Sequence, residues 1–428
     1  MAYRQVDLIE VRAWGATVGA VALDPASDVY AFEYDSDWRG RGIELSPLHL
    51  PLRPGVFVFP ELAERTYHRL PAMVADSLPD RFGNALVTAK LADEGISPGQ
   101  ITPLDRLAYT SDRGMGALEY APPVTAAEHT TAIQLADLVV AARRALQGEF
   151  SGDEAAHEAL TQLIQVGTSA GGARAKAVIC FNPETGQVRS GQLAAPEGFE
   201  HWLLKLDGVN DEQFGQGQGY GRIEFAYSLM AARAGITMEP CRLLVENDRA
   251  HFMTRRFDRR PDGTKIHVQT LCALDHLDFN LADTHSYAQY LDVLDRLGLG
   301  PDALEQAFRR IAFNVAAVNR DDHTKNLSFC RARDGDWTLA PAYDVNHAYN
   351  PQGQWTQRHQ MSVNGKFEGI DRADLLELAD RFVVPSPARV IDDVLAAVDA
   401  WPDMAEEAGV PPHDMVRISE NHHAFRPT

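Results

Sequence analysis

Cysteine is scarce: Cys180, Cys241, Cys272 and Cys330 are the only four in 428 residues, far apart and without a C-x-x-C pair. Such usage excludes a zinc knuckle and a disulfide framework and predicts reduced core thiols. No H-E-x-x-H occurs, so a zinc hydrolase has no support. No stretch approaches the roughly 18 uninterrupted apolar residues of a membrane span. The polar opening M-A-Y-R-Q-V-D-L-I-E-V is unlike a secretory signal, so a cytoplasmic protein without membrane contact is expected. Positive charge is also short: Lys+Arg 40 against Asp+Glu 60 leaves a net charge of −20. A field of that sign opposes a phosphate backbone, so any DNA contact should come indirectly, through a partner. With 45% hydrophobic and 23% charged residues the chain reads as globular. At roughly 150 residues per domain its length predicts two or three structural units.

Apolar and polar residues alternate over 6–14, 16–23 and 29–34, joined by Gly15 and a turn at 24–28, which predicts a small antiparallel sheet. Helical spacing follows at 61–70, 72–77 and 81–91. Residues 120–124 predict a linker, because Pro122 and Pro123 together continue neither a helix nor a central strand. Helical patterns at 132–146 and 153–166 give way at Gly167 to strand-like runs at 176–182, 187–193, 201–206, 242–246 and 251–257, with one helix at 222–234. From 286 onward helices dominate, at 286–297, 301–318, 372–381 and 388–401, broken by strand-like pieces at 327–330 and 337–339. The expected fold is α+β, a β-rich front followed by a mostly α-helical back, in segments 1–122, 123–258 and 259–428.

Residues 319–326 read N-R-D-D-H-T-K-N at the join of an expected helix and strand. Asp321 and Asn326 have the D-x-x-x-x-N spacing. In phosphoryl transfer an acid in such a loop takes or orients the proton of an attacking hydroxyl, and the amide five residues on binds magnesium. Asp344, in A-Y-D-V, is a second hard oxygen ligand of the kind magnesium takes beside phosphates. Asp-to-Asn pairs at this separation are common by chance, and the alternative is a polar loop in which Asp322 or Asn326 bonds nearby amides. Residues 167–176, G-T-S-A-G-G-A-R-A-K, let backbone amides approach phosphate, with Arg174 and Lys176 as charges. Ala173 stands where a P-loop needs lysine, and a plain turn is the alternative. Ser169 is a candidate for self-modification there. Lys205, in the apolar W-L-L-K-L, needs a phosphate or a helix carboxylate such as Glu224 if it is buried, or else faces water from an edge strand. The glycine-rich 215–221 fails the dinucleotide pattern at Arg222 and reads as a connection. Arg255, Arg256 and Phe257, in R-R-F-D-R-R, suit either a hinge lining an adenine pocket or an ion-paired strand end.

Taken together and in this order, G-T-S-A-G-G-A-R-A-K, L-L-K-L, R-R-F-D-R, N-R-D-D-H-T-K-N-L-S-F and A-P-A-Y-D-V resemble the HipA family of toxin kinases over nearly the whole chain. Leu45-Ser46-Pro47-Leu48 and Ser77-Leu78-Pro79-Asp80-Arg81 resemble that family's front sheet domain. The resemblance implies a two-lobed, protein-kinase-like fold. It also implies a serine/threonine kinase that uses ATP and Mg²⁺ as the toxin of a type II toxin–antitoxin pair. It implies Asp321 as the catalytic acid, Asn326 and Asp344 as magnesium ligands and Lys205 as the ATP-phosphate lysine. Gly171, Gly172, Ala173, Arg174, Ala175 and Lys176 become the phosphate loop, and Arg255, Arg256 and Phe257 the hinge. His323 and Lys325 become further nucleotide contacts, and Ser169 an inhibitory autophosphorylation site. The implied partners are a HipB-like helix-turn-helix antitoxin, through which DNA is reached, and an aminoacyl-tRNA synthetase substrate such as glutamyl-tRNA synthetase, whose modification arrests growth. Two positions depart from the family pattern. Asp322 replaces a glycine and is expected to add a carboxylate near the metal, and Arg255 replaces a hinge glutamate. The alternative function is a non-catalytic corepressor bound to the antitoxin on operator DNA.

Overall fold

The expected front strands form as β1 (Leu8–Ala13), β2 (Ala16–Asp24) and β3 (Val29–Tyr34). They are seen in a computed structural model that describes residues 5–93, 95–123, 175–191, 195–209, 219–246 and 248–422. Trp14 and Gly15 both take positive φ, 50° and 76°, which suits the tight two-residue turn between β1 and β2. The period of two is visible in burial: Ile9, Val11 and Ala13 are fully buried while Leu8 is exposed. Two strands absent from the sequence reading, β4 (Val56–Phe57) and β5 (Leu118–Ala121), complete a sheet ordered β4-β3-β2-β1-β5. β5 corrects the start of the expected linker: Tyr120 and Ala121 pair with Val11 and Glu10, and the chain leaves the sheet only at Pro122. Proline excludes itself from a ladder but not the residues before it.

The helices expected at 61–70 and 72–77 shrink to Glu64–Tyr67 and Ala72–Ala75. His68 and Arg69 between them adopt left-handed φ values of 52° and 63°, which end the first helix. The helix Arg81–Asp93 forms as expected, and Pro103–Thr110 is an addition. Its start is written locally, since Thr102 and Asp105 make a reciprocal capping box ahead of Pro103.

A second sheet is ordered β7-β6-β8-β10-β9, from β6 (Lys176–Phe181), β7 (Val188–Ser190), β8 (Glu200–Lys205), β9 (Cys241–Glu246) and β10 (Arg249–Arg255). One face carries Ala177, Ile179, Trp202, Leu204 and Met253, which share a core with Phe82 and Leu86 of the helix Arg81–Asp93. The front segment and this sheet are thus packed on each other. One unit holds 1–218 with 244–268, and the other holds 219–243 with 269–428.

A buried ion cluster reinforces the first unit. Asp258, with no exposure, accepts from Arg256 at 2.7 and 2.8 Å, from Arg259 at 2.8 Å and from the Gly116 amide at 2.7 Å. Arg256 and Arg259 also donate to the Gly114 carbonyl. Burial works against the Asp258 charge, but the two guanidiniums outweigh it and hold the carboxyl well below its usual range.

The second unit is mostly helical, with Tyr220–Arg233, Tyr287–Arg296, Pro301–Ala316, Arg372–Arg381 and Pro387–Asp399 where helical spacing predicts them. The helix expected at 388–401 stops at Asp399, and a separate one, Trp401–Glu407, starts around Pro402, whose missing N–H cannot continue the earlier ladder. A final helix, Pro412–His422, was not expected. The strands Ser328–Arg331 and Trp337–Leu339 form an antiparallel hairpin. All four cysteines are free thiols, three of them buried, and burial pushes Cys180 up to about 11. Among the described residues no helix is long and apolar enough to cross a membrane.

Candidate functional site

In the first unit, Lys176 and Lys205 are directly opposite each other in the β6–β8 register, and Lys205 is opposite Phe252 of β10. Opposed residues of an antiparallel pair share a face. Both lysines therefore lie on the face away from the Phe82–Trp202 core, 4% and 8% exposed, with the Lys205 ammonium 5.7 Å from the Phe252 ring centre. Lys205 is thus neither on an edge strand nor in water. Ala175 is buried, and its carbonyl accepts from the Leu206 amide at 3.0 Å. Gly171, Gly172, Ala173, Arg174 and Ser169 lie outside the described residues.

The hinge candidates follow different fates. Arg255, at the end of β10, is 43% exposed at its side chain and 3.7 Å from Glu200. Arg256 and Phe257 come just after the strand, not within it, and the Arg256 amide donates to the His201 carbonyl at 2.9 Å. The Arg256 guanidinium is consumed by Asp258 and Gly114, with 2% of the side chain exposed, so that side chain is not available to a ligand.

In the second unit, the helix Pro301–Ala316 delivers the segment 319–326. Val318 takes φ 55°, an uncommon conformation for a β-branched residue and of a kind that gathers at functional sites. Residues 318–320 then run parallel to 348: Ala348 donates to the Val318 carbonyl and Arg320 to the Ala348 carbonyl. The loop is closed by Asn326, whose Nδ2 donates to the Asp321 carbonyl at 2.7 Å. Tyr343 donates to the Lys325 carbonyl at 2.7 Å and lies 2.5 Å from the Ser328 hydroxyl, so the neighbours of Asn326 and Asp344 are bonded together. Asp344 itself is half-buried at φ 54°.

Asp321 keeps 38% of its side chain exposed, with His323 Nε2 3.7 Å from its Oδ1. Phe279, missed in the sequence, braces both neighbours: its ring centre is 5.5 Å from that of His323 and 4.8 Å from the Lys325 ammonium. His323 Nδ1 is enclosed without a hydrogen-bond partner among the described residues. Asp322 corrects an expectation. Its carboxylate faces the interior, fully buried, and accepts from Tyr287, His359 and the Gln360 amide, so it adds no oxygen to a metal site.

The donors fit magnesium. Asn326 and Asp344 offer hard oxygens, and no group of three His, Cys, Asp or Glu among the described residues could make a metal centre alone.

Comparison with protein families gives two matches: the HipA N-terminal domain over residues 9–121 and the HipA-like C-terminal domain over residues 168–401. The chain belongs to the HipA family. A solved HipA of Shewanella oneidensis, in a toxin–antitoxin complex with HipB and operator DNA, shares its fold, with a TM-score of 0.67 at 16% identity over 97% of both chains. A Helicobacter pylori proinflammatory kinase, CtkA, aligns over 52% of this chain and 86% of its own at 13% identity and a TM-score of 0.34, too loose to carry an argument. Among curated proteins nothing matches. Within this HipA chain, Lys176, Lys205 and Arg255–Phe257 fall in the first unit and Asp321, Asn326 and Asp344 in the second, all inside the C-terminal family match.

Proposed function

We propose that this HipA-family protein is an ATP- and Mg²⁺-dependent serine/threonine kinase and the toxin of a toxin–antitoxin pair. The observation that carries the reading is the loop closed by Asn326 on the Asp321 carbonyl, with Tyr343 tying its far end to the Asp344 segment. That arrangement puts the exposed Asp321 carboxylate, the Asn326 amide and the Asp344 carboxylate on one framework. Asp321 takes or orients the proton of the attacking hydroxyl. Asn326 and Asp344 hold magnesium, which would neutralise charge on the transferring phosphate. Lys176 and Lys205 supply the cations for a triphosphate, and the backbone beside Arg256 supplies polar contacts for the base. The substrate in this reading is a serine of a translation protein, an aminoacyl-tRNA synthetase such as glutamyl-tRNA synthetase. Ser169 in this reading is the site at which the kinase silences itself, since a phosphate there adds about −1.5 to −2 charge, seven residues in sequence before Lys176.

The Shewanella oneidensis structure, a complex with HipB and operator DNA, supports a HipB-like antitoxin as the partner here. With a net charge of −20, DNA is reached through that partner. The same structure favours a second reading, a non-catalytic corepressor. Expression of wild type and Asp321→Asn without the antitoxin separates the two. Kinase action predicts growth arrest with the wild type only, and arrest by both variants refutes it. Phosphoproteomics of the same cultures identifies the substrate serine.

A further inference from the structure

Asp321 is flanked by two side chains that point the other way. Asn319 and Asp322 are 4% and 2% exposed, whereas Asp321 keeps 38% of its side chain in solvent. The two flanking residues end on a single chain of hydrogen bonds whose direction is set by donor chemistry. Asn319 Nδ2 donates to Asn314 Oδ1 at 3.0 Å, Asn314 Nδ2 donates to the Tyr287 oxygen at 3.0 Å, and the Tyr287 hydroxyl donates to Asp322 Oδ2 at 2.5 Å. No link can be reversed singly, because Asp322 only accepts and Tyr287 has one proton. His359 Nδ1 and the Gln360 amide, at 2.8 and 2.7 Å, complete the donors to Asp322 from a third part of the unit. Asn314 belongs to the helix Pro301–Ala316 and Tyr287 to the helix Tyr287–Arg296, so the chain spans two helices before returning to the loop.

We infer that Asn319 and Asp322 are positioning residues, a bracket with Tyr287 as its central link that fixes where Asp321 presents its carboxylate. The Arg320–Asp321 pair is held at both ends by buried polar groups. Such groups tolerate no slack, because a loosened member leaves a buried donor or acceptor unpaired. Positioning on this scale matters to chemistry: a displacement of about 1 Å costs roughly 100-fold in rate. The inference rests on the reading of Asp321 as the acid of phosphate transfer.

Tyr287→Phe tests it, since only the hydroxyl is lost. The purified full chain should transfer phosphate from Mg-ATP about 10- to 100-fold more slowly, with its affinity for Mg-ATP unchanged within about twofold. Amide hydrogen exchange should rise about tenfold or more across 319–326, with the helix Pro387–Asp399 unaffected. His359→Asn, whose amide can replace the Nδ1 donor, should retain the rate that His359→Ala loses, which keeps the test alive if Tyr287→Phe does not fold. Unchanged exchange in 319–326 refutes the bracket whether or not the protein is a kinase. Faster exchange with an unchanged rate refutes its role in positioning. A wild type that binds no Mg-ATP and transfers no phosphate removes the catalytic reading itself, and the positioning claim with it.

Discussion

Lys176 and Lys205 stand directly opposite each other on β6 and β8, on the sheet face away from the apolar core and 4% and 8% exposed. Like charges directly across a strand pair repel. In the proposed reading both ammonium groups of this pair contact the triphosphate.

Replacing either lysine by methionine should therefore act on binding first. A charge-assisted contact is worth about 1.5–3 kcal/mol, so Lys205→Met or Lys176→Met should weaken Mg-ATP about 10- to 100-fold. Calorimetric titration measures this directly, and the nucleotide-dependent rise in Tm should shrink in parallel. Equal affinity in wild type and both variants would count against the lysines as phosphate ligands.

Asp321→Asn should behave in the opposite way. It keeps the size of the side chain and removes the proton acceptor, so Mg-ATP binding should persist while phosphate transfer falls about 10²- to 10⁴-fold. Incorporation of labelled phosphate into the purified protein, including at Ser169, is the readout.

Two buried histidines, His251 and His347, and the partly buried His201 set a pH dependence of stability. Burial, with help from nearby arginines, pushes His201 and His251 down to about 4 and His347 to about 3 from an ordinary value of 6.5. The unfolded chain then binds protons that the folded one refuses, so stability falls as the pH drops from about 6.5 towards 4. Each histidine contributes at most about 1.4 kcal/mol per pH unit. Urea midpoints at pH 7.5, 6.0 and 5.0 should decline. His347→Gln should flatten part of the slope, because its side-chain oxygen can accept from Asn421 as His347 Nε2 does at 3.0 Å. A midpoint that stays level across this range would contradict the assignment.

Asp258→Ala should unfold the first unit most readily of all single changes named here. It strands Arg256 and Arg259, 2% and 7% exposed at their side chains, without their shared carboxylate. Breaking a buried pair from one side costs about 3–5 kcal/mol, and denaturant unfolding will register it.

Much of this protein could be read along the chain because its signals are local. Alternation over six to nine residues located β1, β2 and β3, helical spacing located Pro301–Ala316, and the D-x-x-x-x-N spacing singled out Asp321 and Asn326 within one short loop. Local rules also failed locally. Left-handed backbone at His68 and Arg69 cut a helix short, and β5 was hidden beside Pro122 because its partner, β1, lies more than a hundred residues earlier. The inward turn of Asp322 belongs to the same class. In the linear order it is another acid beside Asp321; its donors, Tyr287 and His359, are 35 and 37 residues away. Likewise, nothing in the spacing of Lys176 and Lys205 places them face to face, since cross-strand register is set by which face each strand buries. Residue type and short-range period therefore marked the candidate residues. Which of them turn inward to brace the interior was decided only by contacts that exist once distant segments pack and buried polar groups compete for partners.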